Sequence, residues 1–184
     1  MEQSPTYRAL FVSLDITLAL MSERVPPPAV LDSARVLSYA FVDDIPYHRA
    51  GALYVGDKLL EAVPRLAICA NLGQDMGALL FHCDDGWTVL GVSGGDAVAE
   101  AKKRAERNYP GVSARWIDLS ITHEGALELY DREPENARCL FCRRRPFEFG
   151  GCVDNGEGAR ICNECIERFH AIIQGKREGD ADEG

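Results

Sequence analysis

Apolar and polar positions recur along the chain with more than one period. Ser4-Pro5 reads as a helix start, with serine as N-cap and proline at the first helical position. Leu10, Phe11, Leu14, Leu18 and Met21 then make a helical stripe, while Leu10, Val12, Leu14, Ile16, Leu18 and Leu20 also alternate as a strand would. Length and Ala/Leu content favour the helix. Pro26-Pro27-Pro28 stops that element. Val30, Leu31, Ala34, Leu37, Ala40 and Phe41 predict an amphipathic helix ending at Asp43-Asp44-Ile45-Pro46. Ala52 to Val55 reads as a short strand, and Lys58 to Val63 as a short helix before Pro64.

The pattern is clearest in the middle of the chain. Ala78 to Cys83 predicts a strand, Asp84-Asp85-Gly86 a turn, and Trp87 to Val92 the returning strand. Ser93-Gly94-Gly95-Asp96 has the spacing of a capping box and predicts a helix from Ala97 to Asn108, ended by Pro110-Gly111. Ala114 to Leu119 reads as another strand and Glu124 to Tyr130 as a last short helix. Helices and strands mix without a βαβ rhythm or an internal repeat. The predicted class is therefore α+β, with a small antiparallel sheet in a mixed domain over residues 1–130. The polar run 131–136 reads as a linker, 137–177 as a second small domain, and 178–184 as an acidic, disordered tail.

The chain has 184 residues, 46% of them hydrophobic and 27% charged, a globular balance. A net charge of −9 excludes general affinity for nucleic acid or an anionic membrane, though not a local basic patch. Asp15 interrupts the longest apolar stretch, which falls short of the roughly 20 residues of a membrane span and makes a poor signal peptide. The expected location is the cytoplasm. In that reducing compartment the seven cysteines are thiols or ligands rather than structural disulfides.

Five of those cysteines fall between 139 and 165. Cys139-x2-Cys142 and Cys162-x2-Cys165, separated by 19 residues, have four-thiolate zinc spacing. Each short loop presents two sulfurs, and the segment between must be long enough to turn back and bring the pairs together. Four thiolates fill the tetrahedral shell of Zn2+ and leave no position for a reacting water, so the expected site is structural. A segment of this size can hardly build a core of its own, and the metal supplies what is missing.

Cys139-Leu-Phe-Cys142, a turn-rich middle, then Ile161-Cys162-Asn-Glu-Cys165-Ile166 and a helix through Ile172-Ile173 resemble the zinc-binding domain of the protein unfoldase ClpX. The resemblance covers about residues 137–174. It implies a small treble-clef-like C4 finger with Cys139, Cys142, Cys162 and Cys165 as ligands. Phe141, Ile161, Ile166, Phe169 and Ile173 match that domain's hydrophobic positions. In that family the domain dimerises and recognises adaptors and substrates, so the resemblance implies a protein partner and a homodimer. No G-x4-G-K-[ST] motif is present, so ATP-driven unfolding is not implied. Arg143-Arg144-Arg145 replaces the family's usual Gly-Lys and makes this surface more basic.

The expected function is a zinc-held protein-interaction or dimerisation module, in an adaptor or regulatory role, fused to an acidic α+β domain. Its expected partner-binding residues are Phe141, Arg143, Arg144, Arg145, Ile166, Phe169 and Ile173. The alternative is nucleic-acid binding through Arg143 to Arg145, with Arg138, Arg160 and Arg168 nearby. A third reading is a hydrolase. Gly91-Val92-Ser93-Gly94-Gly95 fits G-x-S-x-G, and Asp118 and His123 follow in hydrolase order, but the strands of a hydrolase sheet and an oxyanion segment are missing. His82-Cys83-Asp84-Asp85 contains ligand types on alternating faces and reads as a strand end. Cys152 reads as a free thiol, and His170 as a residue of the helix face.

Overall fold

Apolar runs in the middle of the chain pair into a curled antiparallel sheet in the computed structural model, which describes residues 24–51, 53–73 and 77–181. The helix expected from Ser4 through Met21 lies outside these residues. The strands are β1 (Val30–Leu31), β2 (Ala34–Phe41), β5 (Arg65–Asn71), β6 (Ala78–Cys83) and β7 (Val89–Asp96), in that spatial order, with β8 (Ile117–Asp118) also pairing β2. Between β2 and β5, β3 (Tyr54–Val55) and β4 (Lys58–Leu59) form a separate hairpin.

Two expected helices are strands. Val30 to Phe41 is a hairpin, turned at Asp32 and Ser33, whose φ angles of 42° and 61° place both in the left-handed region. A bulge between Val36 and Ser38 breaks the two-residue alternation of β2, so apolar side chains on both faces mimic a helical stripe. Lys58 to Val63 likewise enters as β4, because Gly56 at φ 59° makes a tight turn. The Ser93–Asp96 stretch is strand rather than capping box. The N-cap of α1 (Val98–Asn108) is Ala97, without a side-chain cap.

Both faces of the sheet are covered. Ala40, Val42, Leu66, Ile68 and Leu80 pack under α1, whose buried residues Ala101 and Ala105 allow close approach. Tyr109, just beyond α1, accepts a hydrogen bond from Val63 N at 2.8 Å. The opposite face carries Val36, Tyr39, Phe41, Cys69, Phe81 and Trp87. There Arg65 lies over the rings of Phe41 and Trp87 at 5.5 and 5.3 Å.

The chain then returns through α2 (His123–Tyr130), capped by Thr122 Oγ1, which accepts from Gly125 N at 3.0 Å. Ala126 and Tyr130 of α2 are buried with Leu72, and Phe147 from the cysteine-rich segment packs on the same cluster. Pro134–Asn136 is a 3-10 turn, and Asn136 Nδ2 donates to Tyr130 O at 3.0 Å. β9 (Cys152–Asp154) and β10 (Arg160–Cys162) form an antiparallel hairpin that leads directly into α3 (Asn163–Ala181). α3 extends into the expected acidic tail. No helix among the described residues is long and apolar enough to cross a membrane.

Candidate metal centre

Two backbone turns bring four sulfurs together. In the first, Cys139 N donates to Arg144 O and Arg143 N to Cys139 O, both at 2.9 Å. Leu140 N also donates to Arg160 O at 2.9 Å, which lays this turn against β10. The second pair lies where β10 meets α3: Cys162 ends the strand and Cys165 stands in the first turn of the helix. Cys162 N donates to Cys139 Sγ at 3.4 Å and joins the two turns.

The four Sγ atoms all lie within 4.8 Å of one another. Cys139 and Cys165 are 3.8 Å apart, and Cys142 and Cys162 are 3.6 Å apart. A tetrahedron with Zn–S bonds of about 2.3 Å has an S–S edge of about 3.8 Å, so the spacing fits one tetrahedral ion. All four cysteines are free thiols in the structure. The arrangement can hold a metal ion.

The local electrostatics are uneven. Burial opposes ionisation of Cys139, but backbone N–H groups of Cys162, Cys142 and Phe141 bring its pKa down to about 6. Arg144 lowers that of Cys142. Burial raises Cys162, and burial together with the neighbouring sulfurs pushes Cys165 up to about 12. All four sulfurs would ionise together only around a cation.

The arginines expected at a docking surface are largely engaged within the chain. Arg144 Nε donates to Cys142 Sγ at 3.4 Å, its Nη2 donates to Cys162 Sγ at 3.6 Å, and the same group pairs with Glu164 at 3.0 Å. Such contacts stabilise thiolates from outside the ligand set. Arg145 and Arg138 both grip Asp131, and Arg160 reaches Asp154 at 3.7 Å and Glu135 O at 3.1 Å. Arg143 and Arg168 are exposed. No sequence motif marks Asp131 as the partner of Arg138 and Arg145, since it stands seven and fourteen residues away, at the start of the polar run 131–136.

The apolar residues expected at that surface stand at the rim. Phe141 is 56% exposed and meets Phe169 edge-on, with ring centroids 4.5 Å apart. Ile166, Ile172 and Ile173 are exposed along α3, and Leu140 and Val153 are exposed too. Cys152 is exposed and outside the sulfur cluster. His170 Nε2 lies 3.1 Å from Gln174 Nε2. Ser93 Oγ contacts His82 Nε2 at 3.5 Å rather than His123, which opens α2, while Asp118 pairs with Lys102 at 3.7 Å. The triad inferred from residue order is therefore not assembled.

Arg143, just after the second cysteine, has φ 62°. A side chain in this region costs about 1–2 kcal/mol, partly offset by the greater unfolded freedom of glycine. Arg143→Gly is expected to stabilise the segment by about 0.5–1 kcal/mol, read as a higher urea midpoint in metal-saturated protein. An unchanged or lower midpoint would show that the arginine side chain has a compensating contact.

No family model, curated protein or solved structure matches the chain.

Proposed function

We propose that Cys139, Cys142, Cys162 and Cys165 hold one Zn2+, and that the small finger it fixes, residues 137–177, is a ClpX-type module that recognises proteins and pairs with a second copy of itself. The observation that carries this reading is four sulfurs at tetrahedral spacing in a segment that exposes Leu140, Phe141, Val153, Ile166, Ile172 and Ile173. Bound zinc would add positive charge among the four thiolates, and Arg144 would offset part of the remaining negative charge. A filled sulfur shell supports a structural role rather than water activation. The internal pairing of Arg138, Arg144, Arg145 and Arg160 leaves little of the basic patch for phosphates, which favours a protein partner over nucleic acid. An adaptor or regulatory role follows from recognition without chemistry.

Elemental analysis and light scattering of the intact protein test the proposal together. The expected result is one zinc per chain and a dimer. Phe141→Ser combined with Ile173→Ser, at two exposed positions, should give a monomer that still holds its zinc. Absence of stoichiometric metal refutes the metal reading. A zinc-loaded wild-type monomer refutes the self-pairing.

A further inference from the structure

A cavity of about 190 Å³ lies in the sheet region between α1 and the β6–β7 pair. Its floor is His82 on β6 and Ser93 on β7. Arg104, Arg107 and Asn108 of α1 line one wall, and Tyr47, Ala50, Gly51, Leu53, Leu60 and Glu61 form the roof. The roof is fastened to the helix end. His48 N donates to Asn108 O at 2.8 Å, and Ala50 N to Asn108 Oδ1 at 3.2 Å. Leu53, Val55 and Leu60 also lean on β7 at Gly91, where a Cβ would stand 3.1 Å from Leu60 and 3.2 Å from Leu53 and Val55. Gly91 thus lets the β3–β4 hairpin settle over the floor.

The polar groups here exceed what packing requires. His82 is only 6% exposed, and Ser93 Oγ at 3.5 Å, the long end of hydrogen bonding, is its one hydrogen-bond partner among the described residues. Burial, followed by the nearby Arg104, holds the His82 pKa down to about 4, so the ring is neutral at pH 7 and offers one donor and one acceptor. Two guanidinium groups line the wall: Arg104, which already has a partner within the chain, and Arg107, which also acts on Glu100 of the same helix; the lining carboxylate among the described residues is Glu61. Its side chain is 81% exposed and lies 3.9 Å from Arg49. The volume is below the roughly 300–1,000 Å³ of sites for drug-sized ligands, so the occupant is small.

We propose that this cavity binds a small organic anion, with its carboxylate or phosphate group against Arg107 and Arg104 and its uncharged body between Leu53, Leu60 and the His82–Ser93 pair. Arg104 also interacts elsewhere in the chain. Arg107 is exposed near the C-terminus of α1, where the helix dipole alone would repel an anion, and is therefore the decisive charge. The site is independent of metal binding by the cysteines.

Benzoate and phenyl phosphate are the probes, with benzyl alcohol as the uncharged counterpart, titrated into the intact 15N-labelled protein. The expected result is saturable amide shifts at His82, Ser93 and Arg104 to Asn108 for at least one anion. The stronger anion identifies the head group. Benzyl alcohol and the Arg107→Glu variant should each weaken binding by about tenfold or more, the loss of one charge-assisted contact. Arg107→Gln should fall between wild type and Arg107→Glu, and all variants should melt near the wild-type temperature because the side chain is exposed. The proposal is overturned if neither anion gives saturable shifts at millimolar concentration, if benzyl alcohol binds as tightly as the better anion, or if Arg107→Glu binds as well as wild type.

Discussion

Chelating the metal, or replacing Cys162 with serine, is expected to unfold residues 137–177 and leave the antiparallel sheet standing. The reason is the composition of the segment's interior. Its buried side chains are Cys139, Cys162 and Cys165 themselves, with Phe149, Ile161 and Phe169 only partly covered around them. Ordering the backbone costs about 1–2 kcal/mol per residue, and three thiols with three half-exposed apolar groups cannot offset that over so many residues. Structural zinc contributes on the order of 10–16 kcal/mol in comparable peptides, so its loss removes most of what opposes chain entropy here. Hydrogen exchange provides the measurement. Amides from Cys139 to Cys165, including β9 and β10, should lose protection on chelation, while those of the central strands β5 and β6 keep it. Cys152→Ser is the control: its side chain is exposed and outside the sulfur cluster, so protection should match wild type. Protection in β9 and β10 that survives chelation would mean that the segment folds without metal.

The same physics explains what could be read from the sequence. Metal-ligating thiols commonly come in local Cys-x2-Cys pairs, so Cys139/Cys142 and Cys162/Cys165 announce a candidate metal site by spacing alone. The Ala78–Cys83 strand and its Asp84–Gly86 turn were equally legible, because Asp84 Oδ1 accepts from Gly86 N and Thr88 N at 2.8 Å each, a purely local bond pattern. β5 carries no alternation in the sequence, since it is a strand buried on both faces, and the bulge in β2 gives that strand a helical pattern. The His82–Ser93 contact arises only from strand pairing across β6 and β7. The inward turn of Arg144 and Arg145 was hidden for a similar reason. A run of three arginines looks solvated until the carboxylates and sulfurs brought to it by folding are known.

Asp131→Asn is expected to cost about 2 kcal/mol near pH 7. Asp131 follows α2 directly and accepts from Arg145 Nε and Nη2, both at 3.0 Å, and from Arg138. One partly buried carboxylate thus ties the segment before and after the first cysteine pair to the end of a helix packed on the sheet. Asparagine cannot neutralise two guanidinium groups. The residual exposure of the cluster keeps the loss below the 3–5 kcal/mol of a fully buried pair. Burial alone would raise the Asp131 pKa, but Arg145 and Arg138 outweigh it and hold the group below its ordinary carboxylate value. The native state therefore binds fewer protons than the unfolded chain in that window. The stabilisation is complete above the unfolded value of about 3.9 and disappears as pH falls through the lower native value. Urea midpoints of metal-saturated protein at neutral pH test the cost, with Cys152→Ser again as reference. Equal midpoints at neutral pH would show that the two arginines are as well solvated as paired, and the hold of the cysteine segment on α2 would then rest on Phe147, whose ring lies 5.1 Å from that of Tyr130.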